Sequence, residues 1–344
     1  MNRRFVFGVI AALLAVMVLG GIVVWVAGGD GSPRTAALLE SRSSSEFSWQ
    51  LYRAGTFWAD LESVAGCDVR GEVVTGQDPA TGDAGKHIAG VVASPCRLEV
   101  AVNSRVSSAL YTWINAALSE THTRRNLTLL KRATDTSGQD LGISLENALI
   151  EQVELPVFNA ADTSAAPATV TLTIRPERTT RESSPALPNP PSASGGSATT
   201  RSFGVDVGTG ALGVSRFEPW SAAVAITRNA ATSDPDAPVY VPGATSLGDL
   251  GLSIPVASGT GSELSNLHNW FEELVLENEG FPDPSQERTL TFTMRNPQTG
   301  AALLTVTFTN VGIFAQPSYA LGSNPERFLF YAEGASFAGS SAAP

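Results

Sequence analysis

Apolar and polar positions alternate with period two along most of this chain, and the soluble part lengthens to the three-and-four spacing of an amphipathic helix in two places. Segments of the first kind are Phe47 to Arg53, Cys67 to Thr75, Arg97 to Val102, Leu127 to Lys131, Ile143 to Ile150 and Thr169 to Ile174. Most are bounded by Gly, Pro, Asn or Asp. That is the pattern of half-buried antiparallel strands. The helical segments are Ser107 to Leu118 and Ser262 to Leu274, each with a serine placed to cap the first turn. Leu110 with Trp113, and Leu264 with Trp270, are the expected anchors of each helix to a core.

The same order runs twice. The hairpin around Gly55 is repeated by Phe203 to Leu212 with its turn at Gly210, Cys67 to Thr75 by Trp220 to Thr227, and Arg97 to Val102 by Leu250 to Val256. After the helix, Leu290 to Met294 repeats Leu127 to Lys131, and Arg327 to Tyr331 repeats Thr169 to Ile174. The closest agreement is apolar-x-apolar-x-Asn-x-x-Ile, present as Ile143 to Ile150 and Val306 to Ile313, so Asn147 and Ile150 match Asn310 and Ile313. Such self-similarity is the signature of a duplication. The expected fold is mainly β: two tandem antiparallel β-barrels, each with one flanking α-helix. The expected boundaries are 46–178 for the first barrel, 179–200 for a Pro/Ser-rich linker, 201–337 for the second barrel and 338–344 for a tail. Stretches 76–93 and 229–247, rich in Gly or Pro, read as variable loops.

Residues 5–27 form an uncharged apolar run after Arg3 and Arg4. As a helix it would be ~34 Å long, enough for a ~30 Å hydrocarbon core. The expectation is a cytoplasmic tip and transmembrane helix over 1–29 and a stalk over 30–45. The positive-inside rule then gives a single-pass protein of the bacterial cytoplasmic membrane, N-terminus inside and the bulk outside. Ala27-Gly28-Gly29 keeps open a cleaved signal, against which the length of the run argues. Beyond it stand the two cysteines of the chain, Cys67 and Cys96, expected to be joined in an oxidising compartment.

The formal charge of −11 argues against nucleic-acid binding, which needs a basic surface. The three histidines, His87, His122 and His268, form no metal-ligand spacing, and no Gly-x-Ser-x-Gly elbow occurs. No catalytic, metal or cofactor residue is assigned, and no enzyme is expected. Charge is unevenly placed: residues 201–344 carry 14 acidic and 6 basic side chains, with Glu272, Glu273 and Glu277 together late in the second helix. Arg124, Arg125, Lys131 and Arg132 form a basic counterpart in the first half. The two groups are candidate assembly contacts between unlike halves of neighbouring chains.

The glycine-centred hairpin, the capped Trp-bearing helix, the Asn126-Leu-Thr-Leu-Leu-Lys-Arg132 strand and the strand from Ile143 to Ile150 resemble the tail-tube fold of contractile phages and of the Hcp-type proteins of injection systems. The resemblance covers most of 46–177 and, more weakly, 203–337. It implies barrels joined edge to edge in rings of six, or in trimers when each chain carries two barrels, and protein partners from an injection or tail assembly. An anchor and a disulfide depart from that pattern. The expected function is a membrane-anchored structural protein that forms or docks a ring in such an assembly. The alternative is an envelope binding or adhesion module whose loops recognise a glycan or protein.

Overall fold

The computed structural model describes residues 47–77, 84–133, 139–163, 166–183, 185–192, 196–208, 210–229, 239–256, 261–277, 284–317 and 324–339. The first half contains β1 Phe47–Arg53, β2 Thr56–Gly66, β3 Val69–Gln77, β4 Ala84–Ala93, β5 Cys96–Ala101, α1 Ser108–Leu118, β6 Arg125–Ala133, β7 Leu141–Leu155, β8 Phe158–Asn159, β9 Thr169–Arg175 and β10 Arg178–Ser183. The second contains β11 Phe203–Asp206, β12 Ala211–Leu212, β13 Arg216–Phe217, β14 Trp220–Asn229, β15 Val239–Leu247, β16 Leu250–Ile254, α2 Gly261–Phe271, β17 Arg288–Arg295, β18 Ala302–Ala315 and β19 Glu326–Gly339. A π-helical turn, Glu272–Leu276, continues α2.

Strands β1, β2, β5, β9, β7 and β6 pair in that order, and β6 returns to β1, closing a barrel. The second half repeats the pairing in the same register. Leu127↔Leu145, Leu129↔Ile143 and Lys131↔Leu141 in β6–β7 become Leu290↔Phe308, Phe292↔Val306 and Met294↔Leu304 in β17–β18. Both ladders slip at the same place, between Arg125 and Leu127 in one and Arg288 and Leu290 in the other. Across that irregularity stand Asn147 (φ 49°) and Asn310 (φ 51°), in the left-handed region that asparagine tolerates better than most residues. Each donates its side-chain amide to a carboxylate at 2.8 Å, Asn147 to Glu177 and Asn310 to Glu333. The repeated asparagine is therefore a backbone device, and the isoleucine three residues later is a buried core residue in both halves.

The helices repeat too. Ser107 caps α1 by accepting from the Ala109 amide. Leu110, Trp113, Leu264 and Trp270 are all buried, at 0, 1, 8 and 1% exposure. Trp113 donates its indole N–H to the Thr123 carbonyl and Trp270 to that of Gln286, which satisfies the one polar atom of each buried ring. One continuous apolar core runs through both halves.

Three differences from expectation have local causes. The second barrel is an open half-barrel: the counterpart of β2 is broken into β12 and β13, two residues each, at and just after the glycine-rich stretch 208–213, which offers few side chains to pack. Residues 179–183, placed by composition at the start of the linker, belong with Arg178 to a strand on β7, whose match in the second half is the C-terminal part of β19. The stretches read as variable loops are largely the hairpins β3–β4 and β14–β15; Pro242 is accommodated at a register shift, where an unpaired position is tolerated.

The expectation of a single-pass protein of the cytoplasmic membrane is corrected. Residues 5–27 and the stalk lie outside the described residues, and among the described residues no helix is long and apolar enough to cross a membrane. With 11 residues each, α1 and α2 span about 16 Å, half of a hydrocarbon core.

Candidate interaction surface

The two halves meet by strand addition. β7 outruns β6, and the edge left over is filled by β14: Ala223↔Gln152, Ala222↔Val153, Ser221↔Glu154 and Trp220↔Leu155. An open edge recruits a strand because its amides and carbonyls otherwise lack partners. The end of α1 grips the same hairpin. Thr245 donates from its hydroxyl to the Ala117 carbonyl and from its amide to Glu120, both at 3.1 Å, and the His122 ring contacts the Gly243 carbonyl at 3.0 Å. Farther along, Arg124 donates to the Tyr240 carbonyl and pairs with Glu177 at 3.3 Å, and Arg175 lies over the Tyr240 ring. This is a heterologous contact: one half presents a hairpin, the other an edge and a helix end.

The first half has its own hairpin, β3–β4, which among the described residues pairs with no further strand and stands as a two-stranded sheet. Its base is fastened by the disulfide Cys67–Cys96 and by the Ser94 amide bonded to the Asp68 carbonyl. In the second hairpin Gly248 and Ser221 make the equivalent backbone bond, and Trp220 fills the place of Cys67. The free hairpin exposes Val69 (50%), Val73 (62%), Ile88 (69%) and Val91 (39%). Val69, Val91 and Ala93 line a 340 Å³ hollow closed on its far side by Glu177 to Thr180, and Glu72 reaches Arg228 of the other hairpin at 3.2 Å.

In the second half, among the described residues, no strand pairs with β18 where it passes the start of β17, and Phe314 (39%) lies there with Val275 (38%) and Leu276 (59%) on the π-helical turn behind α2. Seven of the ten exposed large apolar side chains among the described residues thus lie on these two surfaces. Around the second edge stand Glu277, Glu287 and Glu333. Tyr331 donates to Glu287 at 2.9 Å, and burial, helped by that bond and nearby carboxylates, pushes its phenol up to about 12.

The basic residues proposed as assembly contacts are largely engaged inside the chain. Arg124 holds the second hairpin, Arg132 bonds to Gln50 and the Pro188 carbonyl and lies 3.4 Å from Asp140, and Lys131 sits over the Trp49 ring. Arg125 and Arg288 occupy matching positions, and burial lowers the pKa of both. Arg288 lies over Trp270, 4.4 Å from the ring centre. Glu272, Glu273 and Glu277 are together on the π-helical turn or at its end. His268 packs on Phe328 and bonds to Glu326 at 2.7 Å. The interface role of β14 escaped sequence reading, because a strand that joins another half has the same alternation as one that stays in its own.

No family model matches this chain, and no curated protein matches it. Among solved structures, the sheath/tube terminator of an extracellular contractile injection system matches with 16% identity and TM-score 0.32 over 45% of this chain and 99% of its own. The tube-terminating cap of the anti-feeding prophage matches with 13% identity and TM-score 0.29 over 40% and 88%, and an Hcp protein with 18% identity and TM-score 0.26 over 36% and 76%. Contractile-injection tube components and Hcp proteins are thus what this chain is similar to.

Proposed function

We propose that this chain is a structural, non-enzymatic protein of a contractile-injection or phage-tail-related assembly, in which each chain fills two positions of a ring. The observation that supports this reading most is the heterologous docking of the second half on the first through β14 and β7. When like units meet through unlike surfaces, each contact leaves one surface of each kind unmet, and repetition gives a closed ring or a filament. The exposed apolar side chains of the β3–β4 hairpin and of the β18 end support such an unmet pair. The sequence resemblance to tail-tube proteins supplies the expected number: three chains making six positions.

The test is the mass of the full chain in solution, by sedimentation or native mass spectrometry. Three copies in a closed particle is the expected result, and a single chain at every concentration contradicts the proposal.

A further inference from the structure

We propose that the free β3–β4 hairpin adds to the β18 edge of a second copy of this chain, with Lys86 meeting the acidic group Glu287 and Glu333 across the contact. The inference rests on the ring reading and goes further by assigning both faces of the joint and their register.

The intrachain contact supplies the geometry. Equivalent backbone bonds at the hairpin bases, Ser94 to Asp68 and Gly248 to Ser221, align Val69 with Ala222 and Arg70 with Ala223. Matching β6–β7 and β17–β18 registers align Gln152 and Val153 with Ala315 and Gln316. Carrying the β14–β7 pairing across therefore places Arg70 opposite Ala315 and Val69 opposite Gln316 of the neighbour. Pro317 then stands where β7 has Glu154, and proline cannot donate to a ladder. The backbone ladder is thus shorter than its intrachain counterpart, and side chains must carry more of the contact.

They are suited to it. The hairpin offers Val69 and Val73, the receiving face Phe314 and Leu276, all exposed. Burying such patches is favourable in proportion to apolar area. The polar positions have changed in step. Lys86 pairs with Thr75 as Tyr240 pairs with Arg228, and so takes the place of Tyr240. The residues that surround Tyr240 in the intrachain contact, Arg124 and Glu177, correspond to Glu287 and Glu333. A cation on one face therefore meets two carboxylates on the other. Between copies this complementarity also favours the right pairing, since Lys86 brought to the first half's own edge would meet one carboxylate, Glu177, beside the like charge of Arg124, rather than two carboxylates.

Lys86 and Lys131 are the chain's two lysines, so zero-length carbodiimide coupling of the assembled full chain reads the contact cleanly. The expected product is an interchain amide from Lys86 to Glu287 or Glu333, identified by peptide mass and confined to the assembled fraction. The double variant Val73→Asp, Lys86→Glu should raise the concentration needed for assembly about tenfold or more. Adding Glu287→Lys to that variant should restore part of the loss. An assembly that forms while Lys86 links elsewhere, or whose concentration dependence the double variant leaves unmoved, overturns this interface and leaves the ring reading intact. A chain that never assembles overturns both.

Discussion

The asparagines at 147 and 310 illustrate how one residue sets a repeat. Both hold a left-handed backbone at a slip in the ladder and tie it to a glutamate. A β-carbon without the local amide makes that conformation cost about 1–2 kcal/mol, and the bond to a charged acceptor adds about 1 kcal/mol or more. Asn147→Ala or Asn310→Ala should therefore lower unfolding stability by about 2 kcal/mol in urea titrations, whereas the glycine variants should recover the backbone part. Equal losses for alanine and glycine would contradict the backbone account. Tyr331 gives a pH signature. Its phenol is held above its ordinary value of 10, so the unfolded chain gives up that proton first, and its contribution to stability is present below pH 10 and lost as pH rises toward about 12. Tyr331→Phe should flatten the fall of melting temperature in that window.

At the scale of elements, the two hairpins have the same fold and different supports. The second is held by β7, α1 and Trp220, the first by Cys67–Cys96. A crosslink closing a loop with a sequence separation of 29 contributes about 3–4 kcal/mol in the chain-entropy model. Reduction should accordingly raise amide exchange most in β3, β4 and the start of β5, by more than the global loss that β16–β19 shares; equal increases across the whole chain would contradict this local role. The helices, the repeat and most barrel strands were legible from the sequence because each carries its own period. Leu51, Leu127 and Phe292 point inward whatever their neighbours do. The break between β12 and β13 was not legible, since Ala211, Leu212 and Phe217 still suggest a strand and Gly213, with Gly208 and Gly210 just before, decides otherwise. Nor was the destination of β14, which depends on an edge of β7 set by where β6 ends. Of the candidate contacts, Arg124 and Arg132 look like free surface charges in the sequence and are drawn inward by the Tyr240 and Pro188 carbonyls, partners more than fifty residues away.

Across the whole molecule, duplication leaves the chain with the logic of a polymer held at two units. One joint is made internally, and in the proposed assembly each end would supply the half of a joint that the other end lacks. A closed barrel beside an open half-barrel makes the two halves alike in register and unlike in charge, which in the proposed ring would fix their alternation. The most direct test is electron microscopy of the assembled full chain, averaged along its symmetry axis. The account predicts closed rings of three chains with six lobes of two alternating kinds. Single particles carrying two lobes, or open chains that never close, would contradict it.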